Sequence, residues 1–166
     1  VAGLLNSDSV TNVTLASAGT VATASVAGSP FVITPSLALG TGLGHHTIAY
    51  STTLLTETTP FRSITAAPKS KVYGTTLVLD GLAPSTDFSV AGLLNSDSVT
   101  NVTLASAGTV ATASVAGSPF VITPSAALGT GLGNYTIGYG TGNLTVSAAV
   151  SLITTPPKSH VSGTPS

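Results

Sequence analysis

The chain has 166 residues, a formal net charge of −1 and only 5% charged residues, against roughly 25% in an ordinary soluble domain. Four Lys plus Arg and eight Tyr plus Phe provide neither a basic patch nor a stacking platform, so composition excludes a nucleic-acid-binding protein. Cysteine is absent, which excludes a disulfide framework and a thiolate metal site.

An internal repeat organises the chain. Residues 1–36 recur unchanged as residues 90–125, an offset of 89, and 57 of the 77 positions that this offset aligns are identical. A unit of 89 residues has the size of a small β-domain rather than of a solenoid coil. Divergence is concentrated in residues 51–63 against 140–152, where we place the domain junction. We predict a first repeat over residues 1–60 that lacks its N-terminal strands, a complete repeat over 64–148, and the start of a third over 149–166.

The complete repeat has the sequence pattern of strands throughout. Its segments alternate at period two, are rich in Val, Thr, Ile, Tyr or Phe, and end at Gly, Pro, Asn, Asp or Ser. No segment has the apolar spacing of an amphipathic helix. The predicted strands, in chain order, are residues 71–73, 77–79, 88–91, 99–104, 110–115, 120–123, 136–139 and 143–147.

Local patterns add three expectations. Residues 135–147 predict a hairpin around a short glycine-containing turn, with Ile137, Leu144 and Val146 facing the core. The prolines are expected at strand edges or turns, where a missing amide hydrogen costs least; these are Pro68, Pro84, Pro119 and Pro124. The fold class is therefore all-β, with tandem small β-sandwich or β-grasp-like domains of about 89 residues.

The complete repeat also carries six short motifs in a fixed order. They are Lys71-Val-Tyr-Gly74, Phe88-Ser-Val-Ala-Gly-Leu93, Asn95-Ser-Asp-Ser-Val-Thr100, Ala116-Gly-Ser-Pro-Phe120, Gly131-Leu-Gly-Asn-Tyr-Thr-Ile137 and Gly142-Asn-Leu-Thr-Val146. Together they resemble the MBG repeats, of the YG type, found in large bacterial surface proteins. The resemblance implies a tandem β-module of adhesins, related by name to mucin-binding proteins, without catalytic residues. Two departures stand out: His45 and His46 replace Asn134 and Tyr135, and Ser162 replaces Tyr73.

One loop places oxygen side chains at short spacing, as a calcium site would. Calcium needs six to eight oxygen ligands, and each copy of the loop has one carboxylate. Asn and Asp also cap turns through their own backbone, so a structural turn is the favoured interpretation. The weak calcium candidates are Asn6, Asp8, Asn12, Asn95, Asp97 and Asn101.

Other candidate sites have simpler explanations. Residues 129–133 and 40–44 are glycine-rich, but a strand follows each of them instead of the helix that a phosphate site needs, so we predict tight bends. His45, His46 and His160 are the only imidazoles, and the complete repeat has none, which argues against a hydrolase. Lys69 and its repeat Lys158 are interpreted as linker residues rather than as isopeptide donors. We expect no enzyme activity, no cofactor and no resident metal.

Four asparagines begin Asn-x-Thr triplets and are formal glycosylation acceptors. Glycans there would help so uncharged a surface to stay in solution, as its hydroxyl side chains also do. The possible glycosylation sites are Asn12, Asn101, Asn134 and Asn143.

The leading functional hypothesis is a structural repeat of an extracellular adhesin or cell-surface fibre, acting as stalk or spacer. One alternative is a self-assembling filament subunit with strand complementation between domains. A second is a glycan- or mucin-binding module, which the few aromatics, mostly at positions expected to point inward, do not favour. The expected partners are neighbouring repeats or identical subunits, and host or environmental glycans, with no nucleic acid. No stretch of about 18 apolar residues lacks Ser, Thr or Gly, so we expect no membrane insertion in this segment. We also expect the segment to be a slice of a longer array or a unit completed by its neighbours.

Overall fold

The structure is a computed structural model and describes residues 1–158 and residue 163. Ten strands form in this part of the chain, together with short 3₁₀ turns, which confirms the all-β prediction. The strands are β1 Ser9–Ala16, β2 Phe31–Thr41, β3 Thr53–Leu55, β4 Phe61–Ala66, β5 Lys69–Val72, β6 Phe88–Val90, β7 Ser98–Ala105, β8 Phe120–Thr130, β9 Thr136–Gly140 and β10 Gly142–Ser147. The 3₁₀ turns are Ala18–Thr20, Val26–Gly28, Leu43–His45, Ala107–Thr109, Val115–Gly117 and Leu132–Asn134.

The strands form three sheets. The order β1-β2-β3 is confined to residues 1–60, which we call the first copy. The orders β5-β10-β8-β7 and β6-β4-β9 are confined to residues 61–148, which we call the second copy. Most pairs are antiparallel, but β4 runs parallel to β9 and β5 parallel to β10.

The duplicated sequence folds with the same register in both copies. Ser9 pairs with Thr41 in the first copy, and Ser98 pairs with Thr130, 89 residues later, in the second. Phe31 likewise pairs with Leu55, as Phe120 pairs with Leu144. Local sequence therefore dictates this antiparallel unit of strands.

The core of the second copy lies between its two sheets. One cluster joins Ile64 of β4 and Phe88 of β6 to Val99 and Val102 of β7. A second cluster joins Ala66 of β4 to two side chains from the facing sheet that are fully buried, Ile122 and Leu144. Because β4 contributes to both clusters, it is the strand that closes the core.

Six of the eight predicted strands form, and two do not. Residues 110–115 make a turn instead, in which the amide of Ala113 donates to the carbonyl of Val110 at 3.1 Å. Ser106 and Ser114 cap the flanking 3₁₀ turns through their hydroxyls, which competes with strand formation. Residues 77–79 form no strand, although Leu77 and Leu79 pack on the second core cluster.

The predicted hairpin over residues 135–147 is wrong. β9 and β10 belong to different sheets, because the Gly140-Thr-Gly142 connection carries the chain from one sheet to the other. Gly142 permits this crossing, since a Cβ there would lie 2.6 Å from the carbonyl oxygen of Ala66. Ile137, Leu144 and Val146 do point inward, but Ile137 packs on the first core cluster and Leu144 lies in the second.

One predicted proline position also differs. Pro124 lies inside β8, opposite Leu104 of β7, and is fully buried. It is tolerated because β10 pairs with β8 only at residues 120–122, so the ladder on that side has ended before Pro124.

Candidate functional site: the junction between the two copies

The two copies meet through the connection that leads into β4. The amide of Thr136, at the start of β9, donates to the carbonyl of Pro60 at 3.0 Å. The hydroxyls of Thr59 and Thr136 are 2.8 Å apart and form a hydrogen bond. The chain is thus tied to the second copy before β4 begins at Phe61.

A loop of the first copy contacts two loops of the second. The side-chain oxygen of Asn134 accepts hydrogen bonds from the hydroxyl of Ser25 and the amide of Val26, both at 3.1 Å. The side-chain amide of Asn95 donates to the carbonyl of Ala22 at 2.8 Å. These polar contacts fix the second copy against the first and surround a cleft of about 250 Å³.

Behind this contact, Tyr135 anchors the Asn95 loop. Its hydroxyl donates to Asp97 Oδ2 at 2.7 Å and accepts from the amide of Leu94 at 2.9 Å. Burial raises the pKa of the Tyr135 phenol, and the adjacent Asp97 carboxylate raises it further. The guanidinium of Arg62 lies 5.7 Å from the centre of the Tyr135 ring, within reach of a cation–π interaction.

The first copy fills the same position with a different residue. His46 replaces Tyr135, and its Nε2 lies 2.9 Å from Asp8 Oδ2. The sequence did not suggest this role for His46. A signal was present, because His46 differs from Tyr135 at the repeated position whereas the polar partner, Asp8 in one copy and Asp97 in the other, is unchanged. His45 is exposed, and His160, like Ser162 and the last residues of the predicted third repeat, lies outside the described residues.

The calcium candidates lie in different elements of the structure. Asn95 occupies a tight turn that the amide of Asp97 closes on the carbonyl of Leu94 at 2.8 Å, with φ of 53° at Asn95 and 63° at Ser96. These angles match a type I′ turn. Asn101 lies in β7 opposite Leu128. Asn6, Asp8 and Asn12 occupy the equivalent positions in the first copy, and no cluster of three His, Asp or Glu that could hold a metal occurs in the described chain.

The glycine-rich segment after β8 packs tightly against the Asp97 loop. Gly131 has φ +69°, and a Cβ there would lie 1.8 Å from Asp97 Oδ1. At Gly129 a Cβ would lie 1.9 Å from the carbonyl oxygen of Ser98. A Cβ at Gly133 would have no atom within 4 Å. The first two glycines are therefore required by close approach, as the predicted bend implies.

We expect Gly131→Ala to lower the free energy of unfolding of the second copy by about 2 kcal/mol, because it combines a left-handed backbone with a clash at Asp97. Gly133→Ala is the matched control, with an expected change within about 0.5 kcal/mol. Urea denaturation of the whole chain, followed by circular dichroism, measures both. Equal losses in the two variants would contradict this explanation of the motif.

The sequence suggested that Lys69 is a solvated linker residue, and this prediction is wrong. Lys69 begins β5, and its ammonium forms an ion pair with Asp87, whose side chain is only 10% exposed. Asp87 also accepts from the amide of Asp80 at 2.7 Å. Burial acts to raise the pKa of Asp87, but the hydrogen bonds from Lys69 and Asp80 and the Lys69 charge together hold it below its ordinary value. No pattern in the sequence indicated a role for Asp87. Lys158 is exposed and lies outside any strand.

The glycosylation candidates differ in accessibility. Asn12 and Asn143 are exposed, whereas Asn101 and Asn134 are half-buried. The aromatic residues also depart from expectation, because half of them point outward rather than inward. The exposed ones are Tyr50, Phe61, Tyr73 and Tyr139. Two of these are not free phenols, since Tyr50 and Tyr139 accept hydrogen bonds from the amides of Ala38 and Ala127.

The architecture defines a class: a duplicated all-β module whose second copy closes its core with two parallel strand pairs. Comparison with protein families matches residues 63–145 to the MBG domain (YGX type). The chain belongs to this family, whose members are repeat domains of extracellular surface proteins. No curated protein and no solved structure matches the chain. Within the described residues, no helix is long and apolar enough to cross a membrane.

Proposed function

We propose that the chain is a structural repeat of a bacterial adhesin or cell-surface fibre, and that it acts as a stalk or spacer. Its family supports a repeat in a surface protein. The junction supports a spacer, because hydrogen bonds that Asn95 donates and Asn134 accepts join successive copies in one arrangement. A stalk needs such contacts to hold its tip away from the cell.

The observation that carries the proposal is the placement of the first and last strands of the second copy. β4 is the central strand of its sheet, with five residue pairs to β9 and three to β6. β10 is likewise internal, with four residue pairs to β5 and three to β8. Tension entering at Phe61 and leaving at Ser147 therefore loads ladders on both sides of each strand. Neither β4 nor β10 is an edge strand, so neither can peel away from the edge of its sheet.

Single-molecule pulling tests this role. Handles on Pro60→Cys and Ala148→Cys pull the second copy from its ends, and we expect a high unfolding force because several ladders break together. The control places handles on Ala105→Cys and Thr123→Cys, the paired residues at one end of the β7–β8 ladder. That geometry opens an antiparallel ladder one pair at a time, so its unfolding force should be lower. An equal or lower force for end pulling would refute the load-bearing role.

A further inference from the structure

One charged residue of β4 departs from the pattern of its strand. Alternate residues of a strand point to the same face, so Arg62 shares the inward face with Ile64 and Ala66. Both of these apolar side chains are buried, whereas Arg62 is half-buried at the end of the row. A charged side chain in a core-facing row breaks the local rule, and such breaks mark functional positions. The contacts of Arg62 show what this position does.

Arg62 contacts residues that flank both loops of the junction. Its Nε donates a hydrogen bond to the carbonyl of Gly92, a short distance before Asn95 in the chain. Its guanidinium lies over the ring of Tyr135, the residue that follows Asn134, at 5.7 Å from the ring centre. Asn95 and Asn134 bond to the first copy. One side chain of β4 therefore supports both loops that receive the first copy.

The contact with Gly92 holds the start of the Asn95 loop. Gly92 has φ +78°, a left-handed conformation that favours glycine. A Cβ there would lie 3.0 Å from Arg62 Nε, so the guanidinium packs directly on the backbone at this bend. A second nitrogen, Nη1, donates to the carbonyl of Phe61 at 2.8 Å. The guanidinium thus joins β4 to the bend at which the loop begins.

Tyr135 extends this support to the tip of the loop. Its hydroxyl bonds to the amide of Leu94 and to the carboxylate of Asp97, on either side of Asn95. The ring is held at its hydroxyl by the loop and at its face by Arg62, through a cation–π contact. Tyr135 therefore cannot tilt without breaking one of the two contacts, which fixes the loop relative to β4.

The shape of the guanidinium explains why arginine occupies this position. A guanidinium is planar, so Nε and Nη1 of Arg62 can bond to two carbonyls while the same plane stacks on an aromatic ring. A lysine ammonium has the same charge without this plane. Both hydrogen bonds go to residues of the second copy, so Arg62 acts on the first copy through the loops that it holds.

We propose that Arg62 is a positioning residue that determines the orientation of the second copy relative to the first. The partner surface is the loop of residues 22–26 in the first copy, which bonds to Asn95 and Asn134. Arg62 lies on β4, the strand at which tension enters the second copy. The functional meaning of this control rests on the proposed spacer role, since a stalk needs a fixed angle between successive copies.

Pulsed electron paramagnetic resonance measures this orientation in the full chain, which has no cysteine of its own and so accepts a pair of spin labels. Val32→Cys and Val121→Cys place the labels at equivalent exposed positions of β2 and β8, one in each copy. We expect a single narrow distance distribution. Arg62→Ala should widen it about twofold, because both loops lose their support. Arg62→Lys should widen it as much, since the charge remains but the planar contacts are lost.

Two controls separate orientation from folding. Labels on Val72→Cys and Leu128→Cys, both exposed, report on the second copy alone, and their distance distribution should not change in Arg62→Ala. Ser63→Ala truncates the neighbouring residue of β4 and should leave both distributions unchanged. An unchanged distance between the copies in Arg62→Ala, or an equal widening within the second copy, would overturn the proposal.

Removing the junction contacts directly gives a second test. Asn95→Ala combined with Asn134→Ala should widen the distribution between the copies. Adding Arg62→Ala to this double variant should have no further effect, because Arg62 acts through the same two loops. Further widening would show that Arg62 acts elsewhere and would contradict the proposal. A low unfolding force in the pulling experiment would count against the spacer role, whereas the label distances test the action of Arg62 itself.

Discussion

Ile122→Ala should lower the free energy of unfolding of the second copy by about 3–5 kcal/mol, the largest loss that we expect from a single substitution in this chain. Ile122 is fully buried in β8 and packs with Ala66 and Leu144. Removing three of its carbons leaves a cavity between the two sheets, where the flanking strands restrict collapse.

Ile33→Ala is the matched control. Ile33 has the same neighbours in sequence, since both residues lie in the duplicated 36-residue segment, but it is only half-buried. Local effects on the unfolded chain are therefore alike, and the difference between the two variants reports burial. We expect Ile33→Ala to cost about 1 kcal/mol. Hydrogen exchange of β3 measures the loss in the first copy and that of β10 the loss in the second, since each of these sequences occurs once in the chain. Equal losses would contradict the asymmetry between the copies.

Asp87→Ala should lower the free energy of unfolding by about 3 kcal/mol at pH 7, because it leaves Lys69 without its carboxylate in a partly buried position. The amide of Asp80 also loses its acceptor. Urea denaturation measures the loss. Asp80→Ala is the control, since Asp80 is exposed and its carboxylate accepts only from the nearby amide of Leu82.

The same carboxylate should make the second copy sensitive to acid. The pKa of Asp87 is lower in the folded chain than its ordinary value of 3.8, so the unfolded chain takes up the proton first as the pH falls. The stabilisation is complete above about pH 5 and is lost as the pH drops through 3.8 and on through the lower folded pKa. Asp87→Ala should flatten this part of the pH profile. An unchanged profile in the variant would show that Asp87 does not control acid stability.

Local pattern was sufficient for the antiparallel part of the fold. The alternation in residues 99–104 predicts β7, and the fixed offset of the repeat predicts that β1 and β2 have the same arrangement as β7 and β8. β4 was not predicted, because its first half, residues 61–63, lies in the divergent block that suggested a junction.

Non-local pairing accounts for most of the remaining errors. β9 and β10 have a short glycine-containing connection that is typical of a hairpin, yet β4 pairs with one and β5 with the other. Parallel pairing joins residues far apart in the chain and leaves no periodic signal between them. Residues 47–51 keep the Thr, Ile and Tyr of β9 at the same positions but form no strand, since no strand of the β4 type pairs with them in the described chain.

The site was predictable in type but not in detail. The loop around Asp97 forms the predicted turn, and Gly129 to Gly133 form the predicted bend. The partners of Asp97 and Asp87 could not be inferred, because Tyr135 and Lys69 come from distant strands. Contacts between the copies depend on the side chain of Asn134, which the sequence marked only as a glycosylation candidate, and on that of Asn95, which it marked only as a weak calcium candidate.

The central claim is that residues 61–148 form a self-contained repeat in which β4 completes the core. The most direct test is to express residues 60–149 alone and measure their molar mass and urea unfolding. The account predicts a monomer with a single cooperative transition, and loss of that transition when the segment begins after Ala66, so that β4 is removed. An unfolded or polymeric product from residues 60–149, or a stable fold without β4, would contradict it.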